Sequence, residues 1–246
     1  MSIFRRKEKQ YITPGGSVLK LSEAVLSAEH TLIAGATGSG KSVLLNAIIR
    51  DLLKTCGPAE AELVLIDPKM GELSDYRELP HTIGFAEGVE EAEDVLRSVV
   101  DLMARRNVYR RERGQRFYPG AAVYVIIDEL YPLTMGANKR EMSRLLALLL
   151  TQARASNIHV IACTQLPNRA CIGAIASQFT MRIGLGTTDA IESRQVIGTG
   201  GCEELPAHGL ALVKKDRMLH AVNIPMTDYD EVRELVRYWT SKRCIA

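Results

Sequence analysis

Long apolar runs are missing from this chain. Its longest uninterrupted aliphatic stretch, Leu145 to Leu150, falls far short of the roughly 20 residues needed to cross a bilayer. The basic start, Met1 to Gln10, has no apolar segment behind it of the kind a secretory leader carries. A cytoplasmic location without an anchor of its own is therefore expected. Cys56, Cys163, Cys171, Cys202 and Cys244 are odd in number, scattered, and form no Cys-x-x-Cys pair, which argues against a disulfide scaffold, a zinc site or a redox centre. A large charge excess is also missing. The formal net charge is +2, whereas a DNA-binding domain is often much more basic. Any nucleic-acid contact must then come from local clusters, or from a ring that repeats a small cluster. No internal repeat or low-complexity segment is present. What remains is ordinary: 246 residues, 46% hydrophobic and 24% charged, suit one α/β domain with a single core.

Beyond a basic arm containing Arg5, Arg6, Lys7 and Lys9, apolar runs of strand length alternate with helical periodicity. Strands are predicted over 31–34, 62–66, 122–127, 158–163 and 180–185. Ala92, Val95, Leu96, Val99, Leu102 and Met103 share one helical face, as do Val232, Leu235, Val236 and Trp239. This alternation predicts a mostly parallel sheet covered by helices on both faces. Two short β-rich runs, Leu210 to Val213 and Met218 to Val222, flank Lys214, Lys215, Asp216 and Arg217 and predict an edge hairpin. The expected division is a lead-in over 1–29 and one ATPase domain over 30–246.

The most specific signal is Gly35-Ala36-Thr37-Gly38-Ser39-Gly40-Lys41-Ser42, which fits the phosphate-loop pattern G-x-x-x-x-G-K-[ST] between a strand and a helix expected over 43–53. Glycines let the backbone curl so that N–H groups face phosphate oxygens, and the helix N-terminus adds its dipole. Lys41 is expected on the β- and γ-phosphates of ATP, with Ser42 on Mg²⁺. The buried run Val123 to Ile127 then delivers Asp128 and Glu129 to the ligand edge of the sheet. Asp128 is expected to hold Mg²⁺, directly or through water, and Glu129 to activate the attacking water as general base. Acidic pairs at strand ends also serve as helix caps; the preceding phosphate loop favours the catalytic reading. A further strand ends in Thr164-Gln165, where Gln165 is placed to sense the γ-phosphate or position water.

These residues belong to a longer order of motifs. It continues through Ile66-Asp67-Pro68-Lys69-Met70 with Glu72-Leu73, Leu79-Pro80-His81, Met103 with Arg105-Arg106 and Tyr109, and Ile127-Asp128-Glu129. Then come Gln152-Ala153-Arg154-Ala155 with Ile158-His159, Ala162-Cys163-Thr164-Gln165-Leu166-Pro167, and Glu192-Ser193-Arg194. From His30 to Trp239 the chain resembles the motor domain of the FtsK/SpoIIIE family of DNA translocases. The resemblance implies a RecA-like P-loop NTPase that assembles as a homohexameric ring around double-stranded DNA, with ATP at subunit interfaces. It implies that Arg154 acts in trans as an arginine finger, a role that suits a bidentate guanidinium facing a transferring phosphoryl group. A helix-end arginine serving the C-terminal dipole is the plainer reading of Arg154.

Arg194 matches a family arginine on a pore loop that touches the DNA backbone. Leu166, Ala176 and Ala190 stand where well-known members carry cations, which implies a weaker phosphate grip per subunit. Arg169, or Lys214, Lys215 and Arg217, could compensate, or the moved polymer could differ. The chain leaves no room for the membrane segments, companion domain or winged helix of full-length members, which suggests a stripped motor served by a separate membrane or targeting protein.

The arginines at 105, 106, 110, 111, 113 and 116 are open to two readings, a nucleic-acid patch or a solvated helix end reserved partly for a subunit interface. His30, His81, His159 and His208 lack metal-ligand spacing and are read as packing or hydrogen-bonding residues. Asp67 and Lys69 are open to a structural ion pair or a catalytic role. Three functions stay in view: an ATP-driven translocase of double-stranded DNA in segregation or mobile-element transfer, a conjugative coupling or secretion ATPase moving single-stranded DNA or protein, and a non-translocating assembly switch.

Overall fold

A computed structural model describes residues 11–12, 18–173, 175–206 and 208–243; the expected basic arm lies outside them. Two short strands, β1 (Tyr11–Ile12) and β2 (Val18–Leu19), pair with each other. Helix α1 (Leu21–Leu26) follows, and Leu21, Ala24, Val25 and Ala28 are buried in the main core. Part of the lead-in thus packs on the domain it precedes.

The central sheet has eight strands. They are β3 (His30–Ala34), β4 (Ala61–Asp67), β5 (Thr82–Glu87), β6 (Ala122–Ile127), β7 (Ile158–Thr164), β8 (Met181–Gly184), β9 (Leu210–Lys215) and β10 (Met218–Asn223). Their spatial order is β10-β9-β8-β3-β7-β6-β4-β5. From β8 across to β5 all pairings are parallel, and β9 runs antiparallel to both its neighbours.

Buried apolar residues alternate between the two faces, as the two-residue period of a strand requires. Leu63 and Leu65 of β4 join one core, while Val64 and Ile66 join the other. Ile126 of β6 and Ile161 of β7 face the first core, and Val125 and Val160 the second. The first core is closed by α1, α2 (Lys41–Thr55) and α8 (Tyr229–Arg243), with Leu235, Val236 and Trp239 packed at its margin. The second is closed by α3 (Val89–Glu112), α4 (Tyr131–Met135), α5 (Lys139–Gln152) and α6 (Arg169–Ile172). A smaller cluster lies under α7 (Ala190–Ile197). Helices therefore cover both faces, as predicted.

The hairpin differs in detail from its prediction. Lys214 and Lys215 continue β9, and the turn contracts to Asp216 and Arg217, both with positive φ, the conformation a two-residue turn of matching twist requires. Strand β5 was not predicted. It is an edge strand in which only Ala86 is buried, so it has neither a continuous apolar run nor a clean alternation.

Candidate nucleotide site

The parallel strands deliver their C-terminal ends to one edge of the sheet. The phosphate loop follows β3, the segment 67–73 ends β4, Asp128 and Glu129 follow β6, and Gln165 follows β7. The loop is tied to the strands on either side: Gly35 N donates to Thr164 O (3.2 Å) and Ala36 N to Gly186 O (2.8 Å). Gly35 has no room for a side chain, since a Cβ there would lie 2.5 Å from Ser39 Oγ and 2.6 Å from Leu185 Cβ. Gly40, the residue before α2, has φ +98°, a left-handed conformation that glycine adopts without steric cost. Helix α2 thus begins at Lys41, with its free N–H groups at the loop. Among the described residues Ser39 Oγ is buried without a hydrogen-bond partner, an orphan donor of the kind a phosphate oxygen would satisfy.

Lys41 is buried, and its Nζ donates to Asp128 Oδ1 (2.8 Å) and to the Asp128 carbonyl (3.1 Å). Burial works against this ammonium, while Cys163, Asp128 and Glu129 favour its charge; together they hold it above its ordinary pKa. At neutral pH the carboxylates supply that support, because burial pushes the Cys163 thiol up to about 12. Asp128 thereby occupies Lys41 through both its side chain and its carbonyl.

Glu129 is 1% exposed. Its Oε1 accepts from Gln165 N (3.2 Å) and Tyr131 N (3.3 Å). Its Oε2 accepts from Gln165 N (3.1 Å) and from Lys69 Nζ (3.0 Å). The Gln165 side chain turns the other way and accepts from Thr37 Oγ1 (3.1 Å), which brings it against the phosphate loop. Lys41, Ser42, Asp128, Glu129 and Gln165 are therefore gathered at one edge, as the sequence reading requires.

Some of the arrangement was not foreseen. Asp67 is fully buried and accepts from the backbone N–H groups of Lys69 (3.3 Å), Gly71 (2.9 Å), Glu72 (2.9 Å) and Leu73 (3.0 Å). It folds its own loop, and the Lys69 ammonium goes to Glu129. Glu72 on the same loop accepts from Ser42 Oγ (2.7 Å). The loop is further joined to α2 by the Tyr76 hydroxyl, which donates to Asn46 Oδ1. Asp-Pro-Lys at a strand end was the available signal; nothing in it names Glu129 as the partner of Lys69.

Ser42 and Asp128 offer a hydroxyl and a carboxylate, the hard oxygen donors Mg²⁺ takes. Among the described residues no group of three or more His, Cys, Asp or Glu side chains could hold a metal alone.

Arg154 is not at this edge. It precedes β7, is largely exposed, and pairs through Nε with Glu29 (2.7 Å), the residue before β3. The seven residues of β7 separate it from Thr164 by about 20 Å of strand, beyond the reach of its side chain. Arg194 on α7 and Arg169 at the start of α6 are exposed. Of the arginine run, Arg106 is structural: its guanidinium donates to the carbonyls of Ala121, Ser156 and Asn157 and to Glu62, and lies 4.4 Å from the Tyr118 ring centre. Arg113 lies 3.8 Å over Tyr109, and Arg105, Arg111 and Arg116 are exposed around the same helix end. His30, His81 and His159 pack as read, whereas His208 is exposed and does not. His81 bonds the Cys56 carbonyl and meets the Trp239 ring edge-on at 4.8 Å, and His159 bonds the Ala28 carbonyl at 2.9 Å.

The comparisons agree with this geometry. Residues 15–119 match the model of the FtsK/SpoIIIE family. The DNA translocase FtsK of Staphylococcus aureus is 34% identical over 232 residues, covering 85% of this chain and 29% of that protein. FtsK of Lactococcus lactis is 34% identical over 216 residues, 79% of this chain and 28% of its own length. The chain thus spans less than a third of the curated relatives it matches. Among solved structures, the pCW3 conjugation coupling protein TcpA with ATPγS superposes with a TM-score of 0.72 at 25% identity, covering 87% of this chain and 66% of that one. The cytoplasmic domain of the type VII secretion ATPase EccC from Thermomonospora curvata gives 0.71 at 24%, covering 86% and 28%. The fold is that of a P-loop ATPase, and the chain belongs to the FtsK/SpoIIIE family.

Proposed function

We propose that this chain hydrolyses ATP with Mg²⁺ and uses the cycle to move double-stranded DNA through a homohexameric ring. The observation that carries the reading is the convergence of Lys41, Asp128 and buried Glu129 on the phosphate-loop edge. Lys41 leaves Asp128 for the β- and γ-phosphates, and Ser42 and Asp128 are the residues that would hold Mg²⁺, whose charge offsets that of the phosphates when bound. Glu129 takes the proton of the attacking water. Arg154, unable to reach its own site, completes the site of the next subunit.

In the same reading Arg194 lines the channel and meets phosphates without reading bases, with Arg169 as a further contact. Leu166, exposed on the loop after Gln165, contributes no charge there. No helix among the described residues is long and apolar enough to cross a membrane, which is compatible with recruitment from the cytoplasm by a separate membrane or targeting protein.

The test is the ATPase rate with and without double-stranded DNA across a salt series. Stimulation independent of sequence and weakened by salt is expected, with a shallower slope than a fully basic pore would give. Arg194→Ala should lose the stimulation and keep basal hydrolysis, and Leu166→Arg should steepen the slope. If neither substitution alters the response of an intact oligomer, DNA does not pass this surface. Likeness to a coupling protein at 25% identity, together with the missing cations, favours a cargo of single-stranded DNA or protein as the second reading. Stimulation by such a cargo instead of duplex DNA would select it.

A further inference from the structure

We infer that Lys69 is a positioning residue of the ATPase site, holding the Glu129 carboxylate in its working orientation through the Nζ to Oε2 contact at 3.0 Å. The inference rests on the proposed role of Glu129 as general base. A base must present one oxygen toward the water, so its carboxylate plane has to be fixed by its other contacts. Here Oε1 is held by two backbone N–H groups, of Gln165 and Tyr131, whereas among the described residues Oε2 shares the Gln165 N–H and otherwise has only Lys69. The backbone donors are set by β7 and by the start of α4. Lys69 alone is a side chain, 44% exposed, against a carboxylate that is 1% exposed. It is therefore the partner that can leave and return, because its ammonium exchanges the carboxylate for water at the surface.

The lysine is presented by a loop that is itself ordered. Asp67 gathers four backbone N–H groups of 69–73, and Met70 takes a left-handed φ of 55° within that turn. Three residues after Lys69, Glu72 accepts from Ser42 Oγ. One loop thus touches both the phosphate-loop helix, at Ser42, and the base, at Glu129.

The test compares Lys69→Met, Lys69→Arg, Glu129→Gln and the double substitution Lys69→Met with Glu129→Gln in the full chain. It measures kcat, KM for ATP, and binding of a non-hydrolysable ATP analogue. Lys69→Met should lower kcat about tenfold, a part of the roughly 100-fold or more that a positioned base contributes, while KM and analogue binding stay within about twofold. Lys69→Arg should recover most of the loss, and Lys69→Met should cost nothing further in the Glu129→Gln background. Unchanged kcat in Lys69→Met overturns the inference. So does parallel loss of analogue binding, or a double variant slower than Glu129→Gln by the full single-variant factor. If Glu129→Gln itself keeps full activity, the base assignment has failed, an outcome separate from a silent Lys69→Met beside an inactive Glu129→Gln.

Discussion

At the residue scale, Lys41 and Glu129 lie at one edge, but the proposed function gives them different tasks, and their substitutions should separate. On the proposed roles, Lys41→Ala removes the cation that would face the phosphates, and nucleotide binding should be lost. It also strands Asp128, 2% exposed, without its partner; an unpaired buried charge costs about 3 kcal/mol, so thermal unfolding should move to lower temperature as well. Glu129→Gln keeps the volume of the side chain and should bind nucleotide, with hydrolysis slowed roughly 100-fold or more. Equilibrium nucleotide binding and turnover measured on both variants check the assignment, and it would be reversed if Glu129→Gln failed to bind while Lys41→Ala bound normally. The placement of the phosphate loop and the acidic pair at one edge was legible because local order specifies it: strand, glycine turn, helix. The role of Asp67 was not. Whether a carboxylate meets a lysine or a row of backbone N–H groups depends on the dihedral angles of the following residues, among them a left-handed Met70, and side-chain type does not encode those directly.

At the element scale, β3 and β7 meet through a histidine that must stay neutral. His30 Nδ1 accepts the Val160 N–H at 3.1 Å. Burial, helped by neighbouring His159, pushes its pKa down to about 4. His159 and His81 are also lowered, chiefly by burial. The unfolded chain takes up these protons near pH 6.5, so below that value it binds more protons than the folded one. The stability contribution is complete above about pH 6.5 and is lost as pH falls toward 4. For His30 alone the loss between neutral pH and about pH 5 should be about 2 kcal/mol. Denaturant unfolding at the two pH values should show it, and His30→Asn should flatten the dependence even if it lowers stability at both. An unchanged dependence in that variant would remove His30 as its source. The strands involved were legible for the reason that makes them central: buried on both faces, they carry mostly apolar runs, Leu32 to Ala34 in β3 and Val160 to Cys163 in β7. Edge strand β5, with Ile83 half exposed and glycine at 84, has no such constraint and left no pattern.

At the scale of the whole molecule, the sheet sets the phosphate loop and Arg154 at opposite ends of β7. If the finger acts in trans, chains carrying Arg154→Ala and chains carrying Lys41→Ala should each be inactive alone and should recover hydrolysis when mixed. Assembled at random from equal amounts, about one junction in four would join an intact loop to an intact finger, as head-to-tail contacts around a closed ring dictate. Mixed oligomers, verified as such, that recover nothing would count against a finger in trans.

The opposed placement of loop and finger also governs how damage would spread through a population of chains. In a closed ring with the finger in trans, each chain would take part in two junctions, one with its loop and one with its finger. Diluting wild type with either single variant should therefore lower hydrolysis in proportion to the wild-type fraction, since each defective copy spoils one junction. A chain with both lesions spoils two, and activity should then fall as the square of that fraction. An inactive allele of the second kind would poison its wild-type counterpart more severely than one of the first, although neither encodes a chain with any activity to lose.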